Sequence, residues 1–276
     1  MVGWRDGGLG FCLKTLANLK NRKQKGINNM NKTAFTTIFV LGIFLLSTQA
    51  HSASFDCNKA ATWVEKTICV TPELSKLDDT MAQKYKQSLT DASDKDYKNN
   101  LAIDQKLWLK FQRNTCKDIE CLIHEYKEYT GEKTYHDWGN KLSSSNLPDK
   151  SVFGNFSQTV GISTYNPDIV GWDDAQDITN TVSIYSVPKK PYLSVIEGDL
   201  IFTNFHSCII ESSVATWSKN HWVIYDHDQD KEAELRLYPA LYKGKHQLLL
   251  KDIDYQFSSG RCGVRGYFDG IVLERE

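Results

Sequence analysis

Apolar residues along this chain change their spacing once, and the change divides it. From residue 56 to 130 they recur at helical intervals. The stretch Ala60–Lys66, with Trp63 and Val64, predicts a short helix ending near Cys69. Thr71-Pro72-Glu73 predicts the next start: Thr71 as the N-cap, Pro72 at the first helical position and Glu73 favouring the N-terminal dipole. Leu74, Leu77, Met81, Tyr85 and Leu89 then form one stripe. The polar stretch Asp91–Asn100 predicts a turn centred near residue 95. Ile103, Leu107, Trp108 and Phe111 form the stripe of a third helix, and Cys121, Leu122 and Tyr126 lie on a fourth that fades at Gly131. The aromatics on these stripes are read as core packing.

After about residue 155 the period is two. Thr179–Val187, Tyr192–Glu197, Leu200–Phe205, His221–Tyr225, Leu235–Tyr238, Gln247–Lys251 and Gly270–Arg275 alternate or are rich in β-branched and aromatic residues. Glu197-Gly-Asp199 and Phe268-Asp-Gly270 are hairpin-turn signals, because Gly tolerates positive φ. The expected fold class is α+β. A disulfide-linked α-helical hairpin domain over 54–142 precedes a polar linker over 143–155 and a small antiparallel β barrel or sandwich over 156–276.

The longest apolar run, 34–47, does not fit either half. Lys32 precedes it, and Ala50, Ser52 and Ala53 follow as small residues suited to cleavage. The run is shorter than the roughly 20 residues a membrane span needs, so residues 30–53 read as a secretory signal. Met30 fits its start, and 1–29 read as a leader without a structural role. This changes the charge balance. The whole chain is at −1, with 33 Lys/Arg and 34 Asp/Glu. The first 53 residues hold seven Lys/Arg and one Asp, leaving 26 against 33, a net of −7, for 54–276. Residues 151–276 carry 11 Lys/Arg and 17 Asp/Glu, so most of the acidity lies in the β-half. An acidic exported protein suits a basic protein partner and is poorly matched to nucleic acid or an anionic membrane.

Six cysteines remain outside the leader: Cys57, Cys69, Cys116, Cys121, Cys208 and Cys262. An even number in an exported chain, with no Cys-x-x-Cys knuckle, predicts three disulfides and no metal. Cys208 and Cys262 are the β-half's own and should pair. In the helical half, antiparallel packing of the second and third helices brings Cys69 level with Cys116, leaving Cys57 for Cys121. The competing choice by hairpin symmetry is Cys69–Cys121. The same symmetry places Asp78 level with Arg113 and predicts a structural ion pair across the helices.

Motifs for catalysis are missing: no nucleophile elbow, no phosphate loop, no zinc-protease helix. No enzyme activity and no cofactor are expected. The acidic run Asp226–Glu234, with Asp228 and Asp230, begins like a calcium loop, but Lys231 stands where Gly is needed and Leu237 where the bidentate Glu should be. It reads as a hairpin loop that could dock a basic partner. Asp173, Asp174 and Asp177 form a second acidic loop. The segment Ser258–Arg265, with Ser259, Arg261 and Arg265, is pinned by Cys262 and could present its donors to a carboxylate-bearing cleft.

The helical half resembles a known family. Cys57…Trp63-Val-Glu-Lys-Thr-Ile-Cys69, Leu74…Leu77-Asp78…Tyr85, and Gln105…Trp108-Leu109…Arg113-Asn114…Cys116…Cys121-Leu122…Tyr126 are similar to the N-terminal domain of LprI-type lysozyme inhibitors. The resemblance implies an exported bacterial envelope protein and, through the family's name, lysozyme as partner. An acidic surface and the pinned loop would then dock on lysozyme in the periplasm or outside the cell. The alternatives are a non-inhibitory module binding peptidoglycan or another envelope protein, and a hydrolase with an unrecognised site.

Overall fold

The computed structural model describes residues 53–132, 147–226 and 233–276. The expected leader lies outside them, and so does the expected signal except for its last residue, Ala53, which is buried in the helical core. Among the described residues no helix is long and apolar enough to cross a membrane.

Four α-helices form the N-terminal part: α1 (Trp63–Val70), α2 (Pro72–Asp91), α3 (Lys95–Leu107) and α4 (Ile119–Tyr129). Their boundaries follow local chemistry. Thr62 and Glu65 cap α1 reciprocally. Pro72 sits at the first position of α2, although Thr71 makes no side-chain cap bond. Asp94 caps α3, so the turn after α2 is tighter than the polar stretch suggests. Asp118 caps α4. A wide π-turn, Trp108–Gln112, continues α3 and turns both Trp108 and Phe111 into buried positions.

Val64, Ile68, Leu74, Met81, Trp108, Leu122 and Tyr126 share one core with Ala53. Within it Asp78 is fully buried. Its carboxylate accepts from the Ser54 amide at 2.7 Å, the Ser54 hydroxyl at 2.6 Å and the Tyr126 hydroxyl at 2.6 Å. Arg113 Nη1 lies 3.9 Å from Asp78 Oδ1 and is nearly buried. Asp78 therefore ties the start of the described chain, α2, α4 and the π-turn region together. Burial, and then the adjacent carboxylate, hold the Tyr126 hydroxyl far above its ordinary value, so it stays a donor.

The disulfides correct the expected pairing. Cys57 joins Cys69 and Cys116 joins Cys121, with no bridge between the second and third helices. The reason is corner geometry. A 3-10 turn at Cys57–Lys59 folds back onto the last turn of α1, placing the Cα atoms 5.8 Å apart. Cys121 lies in the first turn of α4, so it faces the same corner as Cys116 instead of turning away from it, with Cα atoms 5.5 Å apart. The hairpin-symmetric Cys69–Cys121 is also absent. Cys208 pairs with Cys262, as expected.

The C-terminal part is a closed antiparallel barrel, not a sandwich. Its strands are β1 (Gly154–Ile162), β4 (Gln176–Ser186), β5 (Leu193–Phe202), β6 (His206–Ser218), β7 (His221–Asp226), β8 (Ala233–Tyr242), β9 (Lys245–Asp252) and β10 (Val272–Arg275). Their order around the barrel is β1-β10-β9-β8-β7-β6-β5-β4. A short ribbon, β2 (Tyr165–Asn166) with β3 (Gly171–Trp172), is inserted between β1 and β4. Strands β1 and β6 were not expected. The Glu197-Gly-Asp199 turn is corrected as well: β5 runs straight through it, with a register shift between Ile196 and Gly198. Gly198 is needed there for space, since a Cβ would sit 3.1 Å from both Val182 and Ile210 side-chain carbons.

Phe156, Val182, Ile184, Ile196, Leu200, Trp217, Trp222, Leu237, Leu248 and Leu273 fill the interior. The outer wall over β8 and β9 is also covered. Phe111 packs on Tyr238, Ala240 and Leu249, which point away from the interior. Strand β7 is buried at five of six positions.

Two outcomes are expected. Asp78→Ala should cost about 3–5 kcal/mol, because it strands a buried guanidinium and a buried hydroxyl. Asp78→Asn, which keeps an acceptor, should cost less; urea unfolding that shows equal losses would refute this role. A non-reducing peptide map should recover Cys57–Cys69, Cys116–Cys121 and Cys208–Cys262. In the chain-entropy model these are worth roughly 3, 2 and 4 kcal/mol, so the barrel bridge should be the costliest to remove.

Candidate functional site

The barrel has two chemically opposite ends. Connections at one end are 187–192, 219–220 and 243–244; they carry Lys189, Lys190, Lys219 and Lys243 and no acidic residue. The described connections at the other end are 163–175, 203–205 and 253–271. Residues 163–175 hold Asp168, Asp173 and Asp174 and no Lys or Arg, with Asp177 just beyond. The Asp173–Asp177 and Ser258–Arg265 loops lie at this second, acidic end, while residues 227–232 of the third candidate loop are outside the described residues.

The Ser258–Arg265 loop is held firmly. Asp252 is buried and accepts from the amides of Phe257 (2.9 Å) and Ser258 (2.8 Å) and from the Ser258 hydroxyl. Cys262 anchors the far side through Cys208. Gly263 and Gly266 permit this closeness: a Cβ on Gly266 would lie 2.6 Å from the Cys208 sulfur, and one on Gly263 would lie 2.8 Å from His206 Nδ1. Cys208 is thus a structural half-cystine.

The structure brings two of the candidate residues together. Arg261 donates to the Asp226 carboxylate and stacks on Phe257 at 4.3 Å. Asp226 is buried. The ion pair is internal to the barrel end, so Asp226 and Arg261 stabilise it. Asp228 and Asp230 lie outside the described residues. Ser259 is exposed. Arg265 is exposed and lies over the ring of Trp172, 5.6 Å from its centroid.

Sequence reasoning missed a second group of ionisable residues, between the helices and the wall of β7 and β8. Asn220, in the β6–β7 turn, places its amide nitrogen 3.1 Å from Glu125 Oε1, 3.1 Å from Thr115 Oγ1 and 3.2 Å from the Gln112 carbonyl. His221 Nδ1 is 2.7 Å from the Asn220 oxygen, and its ring lies 4.3 Å from that of Tyr238. Arg236, almost fully buried, grips both oxygens of Glu128 and also donates to Glu234. Lys219 reaches Glu120 at 2.7 Å and Asp118 at 3.4 Å. The signal for this seam was Arg236 within the otherwise apolar run Leu235–Tyr238; a lone Lys-Asn turn gave none.

Glu125 is the unusual member. It is fully buried, and its Oε2 has no hydrogen-bond partner among the described residues. Burial, then the nearby Glu128 charge, raise its carboxyl to about 8, against the opposing pull of Asn220 and Arg236. It is therefore neutral at pH 7. Glu125 also lies close to the sulfurs of Cys116 and Cys121. Those sulfurs are bonded to each other, so the group offers no cation a ligand set.

These features define a class: a disulfide-stapled helical module fused through a buried polar seam to a closed barrel with one acidic end. Residues 57–137, which include all four described α-helices, match the family model described as Lysozyme inhibitor LprI. No curated protein and no solved structure matches the chain.

The Glu125 environment has a pH signature. The unfolded carboxyl ionises near its ordinary value of 4.5 and the folded one at about 8. Between these values the folded protein holds a proton the unfolded chain has lost, so stability falls as pH rises across that window. Glu125→Gln should flatten this slope and stabilise the protein at pH 8 by about 2 kcal/mol or more. Parallel melting-temperature profiles for the two proteins from pH 5 to 8 would sink the assignment.

Proposed function

We propose that this protein is an exported bacterial inhibitor of lysozyme, acting in the periplasm or outside the cell without catalysis of its own. The observation that carries the reading is the lysozyme-inhibitor family match over 57–137. The charge distribution supports it: a net of −6 over 151–276, with an acid-only connection at one barrel end, suits a strongly basic partner. The same field gives an anionic nucleic acid no attraction. A rigid, disulfide-anchored barrel end binds with little ordering cost, which favours occlusion of an enzyme cleft over a flexible wrap.

Purified protein titrated into a lysozyme lysis assay should reduce lysis in proportion to its concentration; undiminished lysis at micromolar protein with every lysozyme class tried would end this reading. The steering component is read separately. Association should slow tenfold or more as salt rises and the Debye length shrinks from about 10 Å at 0.1 M to about 3 Å at 1 M. A triple Asp168→Asn, Asp174→Asn, Asp177→Asn variant should lower the on-rate at low salt and barely move the off-rate. On-rates equal to wild type at low salt would show that this acidic end does not steer the partner.

A further inference from the structure

The ribbon inserted between β1 and β4 has no evident structural duty for its tip. Its base is tied down. The Tyr165 amide donates to Asn204 Oδ1 at 2.6 Å, the Asn204 amide to the Ser163 carbonyl at 3.1 Å, and the Asp173 amide to the Thr164 carbonyl at 2.9 Å. Asn166 bridges the two strands, accepting from the Asp168 amide and donating to Asp173. The Val170 amide closes the turn onto the Pro167 carbonyl at 3.3 Å.

On this firm base the tip residues Ile169 and Val170 stand 63 % and 79 % exposed. Val170 also has φ +49°, a left-handed conformation that a β-branched residue adopts only at a cost. A glycine or asparagine would hold the same turn without that strain and without apolar surface in water. Two aliphatic side chains, one in a strained backbone, are thus presented to solvent.

The strand order puts this tip in a particular place. The β1–β4 seam lies across the barrel from β7 and β8, the wall that the helices cover. The ribbon is accordingly remote from the seam that joins the two parts of the chain. Its flanks are Asp168, Asp173 and Asp174, with no basic residue in 163–175. Charge complementarity therefore selects a basic surface as its counterpart. An apolar centre ringed by charge is the anatomy of a protein–protein hot spot. A glycan is a poorer match, because the rings nearby are already engaged: Trp172 meets Tyr165 edge to face and Arg265 lies over it.

We infer that the β2–β3 ribbon is the element that docks on the basic partner, with Ile169 and Val170 as its apolar anchor, and that the Ser258–Arg265 loop is its buttress. This rests on the lysozyme reading and specifies its surface. Arg265 braces Trp172, while Arg261 is spent on Asp226 inside the barrel end.

The test uses the purified full-length gene product and an Ile169→Ala, Val170→Gly double variant. Neither substitution alters charge, and the glycine relieves the positive φ, so thermal stability should stay level or rise. Affinity for lysozyme, read by surface plasmon resonance, should nevertheless fall at least tenfold, mainly through a faster off-rate. Ile169→Ser alone, which leaves the backbone of Val170 untouched, should show an intermediate loss. If wild type binds lysozyme and the double variant binds within twofold of it, the ribbon assignment is overturned and the lysozyme reading stands. If wild type binds no lysozyme, the lysozyme reading itself fails and the ribbon's partner with it. Unchanged lysozyme affinity accompanied by loss of a concentration-dependent dimer, or by loss of co-sedimentation with peptidoglycan, would also overturn the assignment, giving the tip to a second copy or to the cell wall.

Discussion

The outer face of strands β7–β9 cannot be left in water, and much of the architecture follows from that. Tyr238, Ala240 and Leu249 point outward from the barrel and are buried in one cluster with Phe111, with Leu107 and Val272 packed against it. Phe111 is in position because the π-turn Trp108–Gln112 rotates the end of α3, carrying Trp108 into the helical core and Phe111 toward the barrel. Burying such side chains is worth about 1.5–3 kcal/mol each, enough to make the two parts one structural body instead of beads on a linker. The contact then has to satisfy polar groups near it. Asn220 and Arg236 do this from the barrel side, each meeting several helical acceptors or a carboxylate. Glu125 is the member left incompletely satisfied, and it stays protonated because ionising it in that seam would cost more than the seam returns.

How much of this was legible depended on whether local spacing or distant contact decided a feature. The helix stripes are local, and Leu74, Met81, Trp108 and Tyr126 occupy the core as their spacing requires. The level placement of Asp78 and Arg113 is also local arithmetic, and they lie 3.9 Å apart. What the arithmetic did not contain was Ser54 and Tyr126 as closer partners of the same carboxylate, because a single side-chain hydroxyl carries no periodic signal. The bridges were misjudged for a different reason. Helix-to-helix register was used where corner geometry rules, and Cys116 and Cys121, five residues apart, meet across a turn that spacing rules for helices do not describe.

In the barrel, period found β7 even though both its faces are covered, and missed β1 and β6, which keep exposed positions. Strand β7, buried at five of six positions, reads as a short apolar run. The long β6 ends in Trp217 and Ser218 and was unreadable by period, since exposed and buried positions interleave irregularly along it. Gly198 looked like a turn because glycine serves two purposes, positive φ and absence of a side chain. Here only the second applies. Candidate residues at the barrel end were legible as chemistry but not as roles. Arg261 and Asp226 were both marked as partner contacts, and they satisfy each other.

A closed antiparallel barrel separates stability from recognition by topology. Every connection emerges at one end or the other, so charge placed in the connections becomes a property of an end. Lysines at 189, 190, 219 and 243 and aspartates at 168, 173 and 174 therefore polarise the molecule along the barrel axis without touching the core. The lysine end is partly consumed, because Lys219 is held by Asp118 and Glu120 at the helical seam. Residues 163–175 at the acidic end carry no basic residue of their own, and Arg265 lies over their Trp172. The helices, committed to β7–β9 by their apolar contact, lie across the barrel from the β1–β4 seam where that connection emerges. The interaction that joins the two parts thus also leaves the acidic ribbon clear of the helical seam. Its exposed aliphatic tip can meet a partner without disturbing the seam that keeps the molecule folded.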